Sequence, residues 1–197
     1  KLKIKTYNSQ ILTGKNEIDK ITAINQGAGD IDVDNSNSEE LTIKEITQVS
    51  GDIDINNEGN IEVTGTVSTE ADGSINLIST GDQTISGDIS AGGIGNITLA
   101  ANDPDTTDDI LKGDITVNND IISDSGNINL SAGKDVTFNS LVETAGDLYV
   151  TSSRDIQANA LLKAMEIDSD TVNTITLNAG NDLIQNGTSE IKSDLID

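Results

Sequence analysis

The side chains of this sequence best suited to chemistry are its carboxylates. Asp30, Asp32, Asp52 and Asp54 alternate with isoleucine and valine in two phrases, GDIDV and GDIDI, that lie 22 residues apart. If both phrases form strands stacked at about 4.8 Å, the carboxylates share one outward face and repel one another unless a cation bridges them. Clusters of carboxylate oxygens suit Ca²⁺. The pattern therefore predicts either a Ca²⁺ site or a solvated acidic face.

A second group of carboxylates lies in the segment ANDPDTTDDI. Asp103, Asp105, Asp108 and Asp109 are close together around the only proline of the chain. The segment is not an EF-hand loop, because the glycine and the terminal glutamate of that motif are missing at their places. It is expected to be either a second Ca²⁺ loop or a polar corner loop.

No group of residues typical of an enzyme stands out. The chain has no His and no Cys, and acids occur in every repeat, so no particular carboxylate pair is marked for glycosidic cleavage. Arg154 is the only arginine, and sugar-binding grooves usually carry more aromatics than Tyr7, Phe138 and Tyr149. We expect a protein that is not an enzyme, and a carbohydrate-active β-helix enzyme is the weaker alternative.

Charge and composition exclude several classes of partner. The formal net charge is −23, which disfavours nucleic acid and anionic membrane surfaces because both require clustered Lys and Arg. No apolar run is long enough to span a bilayer. The sequence therefore predicts no nucleic-acid partner and no membrane insertion.

The elements that must position these groups follow a fixed repeat. Ile31, Ile53, Ile75 and Ile97 are 22 residues apart, and each follows a glycine and a small polar residue. A fixed period of this size is the signature of a solenoid, and three short alternating stretches per repeat predict three strands per coil. We expect an all-β, right-handed parallel β-helix, three-sided, with about 20–22 residues per coil and roughly eight or nine coils.

A β-sandwich is the rival fold, but its hairpins would not repeat one phrase at a constant spacing.

Three sets of residues are assigned structural roles. Two apolar columns form the core, and an Asp or Asn placed just before many strands is expected to bond nearby backbone rather than a ligand. The first column is Ile31, Ile53, Ile75, Ile97, Ile128, Leu148 and Ile175; the second is Val33, Ile55, Leu77, Leu99, Leu130, Val150 and Leu177; the polar set is Asp52, Asn60, Asn96, Asn127, Asp135, Asp147, Asp155 and Asp182.

One β-helical domain or segment is expected over residues 1–197. Residues 1–28 fit the repeat least well and are expected to form an irregular N-terminal coil; residues 29–187 form the regular coils. Residues 100–113 are a corner-loop insertion, which solenoids tolerate between strands. Because the repeat runs close to both ends, the sequence predicts either a segment of something longer or a processed subunit.

Three phrases, GNINLSAGKDVTFNS, GDLYVTSSRDIQANA and ITLNAGNDLIQNG, resemble the repeat region of filamentous haemagglutinin-like adhesins. These are large bacterial surface proteins, many exported by two-partner secretion, with right-handed parallel β-helical rods. The resemblance covers residues 29 to about 187 as a pattern, and the NPNL-type motif of the secretion domain is absent. It implies a rod segment, extracellular or at the cell surface, with adhesion or spacing as its role and a host or surface receptor as its partner.

The two ends of the chain differ in charge. Lys1, Lys3 and Lys5 make the first strand basic, whereas Glu190 and Asp194 contribute to an acidic end. Open strand edges invite pairing, so other β-helical coils are expected at both ends, from the same longer chain or from a second copy. If copies stack head to tail, the protein is a self-assembling subunit of an extracellular filament or sheath, which is the alternative to the rod.

Overall fold

The structure, a computed structural model, describes residues 1–101, 113–165, 172–187 and 189–194. These residues form 23 β-strands and no helix, and strands of successive coils pair in parallel. The described residues contain no helix of the length and hydrophobicity that a membrane span requires. The protein is a parallel β-helix, which confirms the fold that the repeat predicts.

Each regular coil contributes one strand to each of three faces, named A, B and C, and the strands are numbered in chain order. Face A is a separate sheet of eight strands, so seven full turns separate its first strand from its last. Its strands are β2 (Gln10–Asn16), β4 (Ile31–Asn35), β6 (Ile53–Asn57), β9 (Ile75–Ser79), β12 (Ile97–Ala101), β15 (Ile128–Ala132), β18 (Leu148–Ser152) and β21 (Ile175–Ala179).

Faces B and C belong to one hydrogen-bonded sheet, because the first coils cross the corner between them without a break. Two long strands, β3 (Lys20–Ala28) and β5 (Glu40–Ser50), span both faces, and β1 (Leu2–Thr6) pairs with β3. Face B continues through β7 (Asn60–Val63), β10 (Gln83–Ile85), β13 (Ile115–Val117), β16 (Val136–Phe138), β19 (Ile156–Ala158) and β22 (Leu183–Gln185). Face C continues through β8 (Val67–Ala71), β11 (Ile89–Ala91), β14 (Ile121–Ser123), β17 (Val142–Thr144), β20 (Leu162–Ala164) and β23 (Ile191–Ser193).

The two predicted apolar columns stack in register along face A. Ile31 lies opposite Ile53 and Val33 opposite Ile55, and the same pairing continues to β21. From β4 to β18 every side chain of both columns is at most 2% exposed. Because the strand spacing of about 4.8 Å repeats, each β-branched side chain packs on a similar one above and below. Because this packing of aliphatic side chains repeats from coil to coil, the core needs few aromatic residues, and Phe138 is its single phenylalanine.

The glycine that opens each repeated phrase is required by the close approach of successive coils. A Cβ on Gly73 would lie 1.9 Å from the carbonyl oxygen of Gly51, and a Cβ on Gly95 would lie 2.0 Å from that of Gly73. Both separations are far shorter than any van der Waals contact, so neither Gly73 nor Gly95 accepts a side chain unless the backbone shifts. Gly51 also has a φ of +107°, where other residues are strained.

The structure describes all of the expected N-terminal coil but only the two ends of the corner-loop insertion. Within residues 1–28 the chain already forms strands, with a register shift between Leu12 and Asn16 where Gly14 has a φ of +129°. Residues 102–112 of the insertion lie outside the described residues. The pairing of β3 with β5 also shifts register twice, so the irregularity of the first coil consists of register shifts rather than loss of strand pairing.

One inward position of face B is polar. Gln83 is fully buried between Ile61 and Ile115 of the neighbouring coils. Its Nε2 donates to the carbonyl oxygens of Leu77 and Ala100, at 2.9 and 2.8 Å, whereas Oε1 has no hydrogen-bond partner among the described residues. An unsatisfied buried oxygen costs on the order of 1–3 kcal/mol, so Gln83 is a weak point in the apolar stack of face B.

The assignment of inward and outward positions is tested by two adjacent alanine substitutions. Ile75→Ala is expected to lower the free energy of unfolding by about 2–5 kcal/mol, because it leaves a cavity between Ile53 and Ile97. Asn76→Ala, on the outer side of the same strand, removes one hydrogen bond to Asp54 and is expected to cost no more than about 1 kcal/mol. Urea unfolding measures both values, and equal losses would show that the faces are assigned wrongly.

Candidate functional site

The four carboxylates at the start of face A lie on its outer side. Asp32 stands opposite Asp54 in the neighbouring strand, whereas Asp30 and Asp52 lie at the corner just before β4 and β6. Oδ1 of Asp30 accepts the backbone N–H of Asp52 at 3.0 Å, and Oδ1 of Asp52 accepts that of Ser74 at 2.8 Å. The two corner carboxylates therefore accept backbone N–H groups, whereas Asp32 and Asp54 project, half-buried, from the outer side of the sheet.

No metal-binding group is formed by the part of the chain that the structure describes: nowhere in it do three His, Cys, Asp or Glu side chains come together in a suitable arrangement. Asp103, Asp105, Asp108 and Asp109 lie outside the described residues. Binding of Ca²⁺ at either acidic group stays a prediction from the sequence.

The repulsion between stacked carboxylates on face A is visible at one residue and ends one coil later. Burial, followed by the charges of Asp34, Asp54 and Asp30, raises the pKa of Asp32. In the next coil an amide replaces the acid, and Nδ2 of Asn76 donates to Oδ1 of Asp54 at 2.6 Å. The acidic surface on this face is therefore confined to the first regular coils.

A continuous series of side-chain-to-backbone hydrogen bonds, here named corner ladder A, follows the corner before face A. At each coil a side-chain oxygen accepts the backbone N–H of the equivalent residue one coil further on; Asn96 accepts from Asn127 at 2.7 Å, and Asn127 from Asp147 at 2.9 Å. The carbonyl oxygen of Asn127 is bonded to the N–H of Ile97. The residues of the ladder are Ser9, Asp30, Asp52, Ser74, Asn96, Asn127, Asp147 and Thr174.

A second series, corner ladder B, follows the corner before face B in the same way. Asp82 accepts the backbone N–H of Asp114, and Asp114 that of Asp135, both at 3.0 Å. The residues of this ladder are Asn60, Asp82, Asp114, Asp135, Asp155 and Asp182. All eight of the Asp and Asn residues that the sequence assigned to structural roles belong to one of the two ladders.

The only arginine of the chain is bound to corner ladder B. Nε of Arg154 donates to Oδ1 of Asp135 at 3.0 Å, and Nη2 donates to Oδ2 of the same carboxylate. The hydrogen bond from Arg154 is the largest cause that lowers the pKa of Asp135; burial opposes it, and the N–H of Asp155 supports it. This pair neutralises one charge in a column of five aspartates.

A third column consists of asparagines just after the face B strands, and the sequence patterns described above do not predict it. Asn118, Asn139, Asn159 and Asn186 form it, and each Nδ2 donates to the Oδ1 of the preceding asparagine at 2.8 to 2.9 Å. Their sequence spacing is uneven because of the insertion before Asn186, which hides the repeat. Their common place directly after each strand is the signal that could have revealed them.

Two clefts of about 280 Å³ each lie on the surface. One crosses four successive coils where face A ends, and its walls combine Lys15, Asp34 and Glu58 with the apolar side chain of Ile78. The other lies on face C beside the ion pair between Lys163 and Glu143. Both clefts mix opposite charges, so neither is complementary to one class of ligand.

Comparison with known proteins gives no match. No protein-family model matches the chain, and neither a curated protein nor a solved structure does so. The geometry of the coils therefore has to carry any functional proposal.

The importance of the side-chain oxygens is tested at Asn127, in the middle of corner ladder A. Asn127→Ala removes the acceptor for the N–H of Asp147 and is expected to lower the free energy of unfolding by about 1 kcal/mol. Asn127→Asp keeps an oxygen at the same place and is expected to stay close to the parent protein. Urea unfolding and amide hydrogen exchange at Asp147 measure both. Equal losses in the two variants would show that the acceptor is not what matters.

The ion pair on corner ladder B gives the stability a specific pH dependence. Because the pKa of Asp135 lies below its usual 3.8, the ionised carboxylate stabilises the folded state above pH 3.8, and this contribution is lost as the pH falls through the lowered pKa. Arg154→Met should therefore be less stable than the parent protein near neutral pH, and the difference should shrink below pH 3.8.

Urea midpoints measured across this pH range test the pair, with Lys134→Met as the control. Lys134 precedes Asp135 and acts on it only through its charge, so its removal is expected to leave most of the pH dependence in place. A difference between the parent protein and Arg154→Met that does not change with pH would contradict the assignment.

Proposed function

We propose that this chain is a structural, non-enzymatic rod segment of a large bacterial adhesin that is secreted or exposed at the cell surface. The observation that carries the proposal is the unbroken stack of eight face A strands, whose axes span about 34 Å at the usual strand spacing. The resemblance of three of its phrases to the repeats of filamentous haemagglutinin-like adhesins supports the same role.

The hydrogen bonding of the coils suits a load-bearing spacer. Backbone bonds join every coil to the next on all three faces, and the two corner ladders add side-chain bonds where the strands stop. Since each coil contacts mainly its neighbours, stiffness and stability grow with the number of coils rather than with one central core. Such an object keeps two other elements at a fixed distance without any ligand.

The last described coil supports the expectation that further β-helical coils are partners. Leu183 of β22 is 52% exposed, whereas the equivalent residues of the two preceding coils, Ile156 and Val136, are fully buried. The inward side chains of Ile175 and Ile191 are also only partly buried. A further coil would cover these side chains and pair with the open edges of the three strands.

A head-to-tail filament of separate copies is the second candidate. In its favour, Ile4 stands in the same column as Ile191, so that one end could continue the apolar core of the other. Against it, the column of Lys5 ends at Lys192, so stacking in register would bring two like charges together. We therefore place the filament second to the rod.

Antibodies against this chain distinguish the two candidates in the cells that produce it. A rod segment is expected to label intact cells or their medium, and the antigen is expected to migrate on a denaturing gel far above the 20.6 kDa of this chain. The filament predicts a denatured band near 20.6 kDa that elutes as polymers under native conditions. Labelling that appears only after the cells are permeabilised would contradict both extracellular roles.

A further inference from the structure

One aromatic side chain lies on the outer surface of the regular coils in a fixed orientation. Tyr149, on face A, is 39% exposed, and its hydroxyl donates to Oδ2 of Asp147 at 2.9 Å. Asp147 lies two residues before Tyr149, at the corner that precedes face A. The hydrogen bond therefore inclines the ring along the strand toward that corner. The remaining oxygen, Oδ1, accepts the N–H and the hydroxyl of Thr174, which holds the carboxylate in turn.

The charge of Asp147 is maintained by these bonds. Burial works against the ionised form, but the N–H of Thr174 and the hydroxyls of Tyr149 and Thr174 outweigh it and lower the pKa of Asp147. The carboxylate is therefore ionised near neutral pH and has both oxygens engaged. Tyr149 thus has an anchored hydroxyl, and part of its ring is open to solvent.

The residues that flank Tyr149 in the neighbouring strands of face A are uncharged, and the charged group beside it is Asp147, which its hydroxyl binds. Asn129 and Thr176 flank the ring in the neighbouring strands, and the next outward column consists of amide and hydroxyl side chains. Within the described residues, the amides of Asn129 and Asn178 make no hydrogen bond, so both can bind a ligand. The outward positions named here the Tyr149 platform are Asn129, Ser131, Tyr149, Thr151, Thr176 and Asn178.

The platform has the features that suit a sugar without charge. The face of a sugar ring is apolar enough to stack on an aromatic face, and its hydroxyls match amides and hydroxyls placed around that face. An anionic sugar would meet the ionised Asp147 and the field of a chain with a net charge of −23. A cationic ligand would be drawn more strongly to the paired carboxylates of Asp32 and Asp54, at the other end of face A, than to the single carboxylate of Asp147, whose oxygens already accept hydrogen bonds.

We propose that the Tyr149 platform binds an uncharged glycan, with one sugar ring stacked on Tyr149 and its hydroxyls bonded to Asn129 and Asn178. The glycan lies flat across three neighbouring strands of face A, because the platform is a surface rather than a cavity. This binding goes beyond the proposed rod, since a spacer works without any ligand. Failure of glycan binding would leave the rod intact, and failure of the rod would leave the platform intact.

Affinity electrophoresis of the whole chain in gels that contain a neutral polysaccharide tests the proposal. Laminarin, dextran and mannan are the probes, polygalacturonate is the anionic comparison, and calorimetry measures the affinity of any probe that retards the chain. At least one neutral probe is expected to bind, and Tyr149→Ala to weaken it about tenfold, the loss expected for one stacking contact. Asn129→Ala is expected to weaken the same probe through its lost hydrogen bond.

Tyr7→Ala is the matched control, because Tyr7 is 67% exposed but lies in the first coil, away from the platform. Circular dichroism and the urea midpoint establish that each variant is folded; if Tyr149→Ala is not, Tyr149→Ser and Asn129→Ala decide the outcome. The proposal is overturned if none of the three neutral probes binds or if polygalacturonate binds as tightly. An equal affinity of Tyr149→Ala, or an equal loss in Tyr7→Ala, overturns it as well.

Discussion

The parallel hydrogen-bond ladder between successive coils is the interaction on which the rest of this molecule depends. It sets one coil above the next at about 4.8 Å and aligns each residue with its equivalent, so that Ile53 meets Ile31 and Ile75. Once this register is fixed, the inward side chains of face A have a similar side chain above and below. Apolar columns gain from that repetition, whereas carboxylate columns are penalised by it. The surface chemistry of the chain therefore depends on how each carboxylate column reduces the repulsion between its members.

The repulsion between stacked carboxylates is reduced in three ways. Along the corners, carboxylates are held by backbone N–H groups of the next coil; on face A, Asn76 replaces the acid beside Asp54; and at Asp135 the single arginine supplies the opposite charge. Within the described part of the chain Asp32 has no such partner, and burial together with the charges of Asp34, Asp54 and Asp30 raises its pKa. Among the described residues, the carboxylates of the corner ladders therefore serve as hydrogen-bond acceptors, which limits the repulsion in a chain with a net charge of −23.

The core could be predicted from the sequence because its signal is strictly periodic. A column such as the one through Ile75 requires the same kind of side chain at the same place in every coil, and insertions at corners do not disturb it. The corner ladders were foreseen only as a general preference for Asp and Asn. The same periodicity places Tyr149 next to Asn129 on the outer side of face A, as the structure shows. The asparagine column through Asn139 is harder to find, because its members are polar and lie 21, 20 and 27 residues apart.

The corner ladders have a consequence for how such a chain can change. Each rung joins a side-chain oxygen to a backbone N–H, and the side chains of Asp, Asn and Ser all serve as acceptors in corner ladder A. A backbone donor is present whatever residue occupies the next coil, so an exchange of Asp for Asn alters the charge and leaves the bond in place. The electrostatic potential of the surface is thereby uncoupled from the fold. Successive substitutions of this kind could change the surface from strongly acidic to neutral. The charged partners that the chain attracts or repels would then change while the fold stays the same.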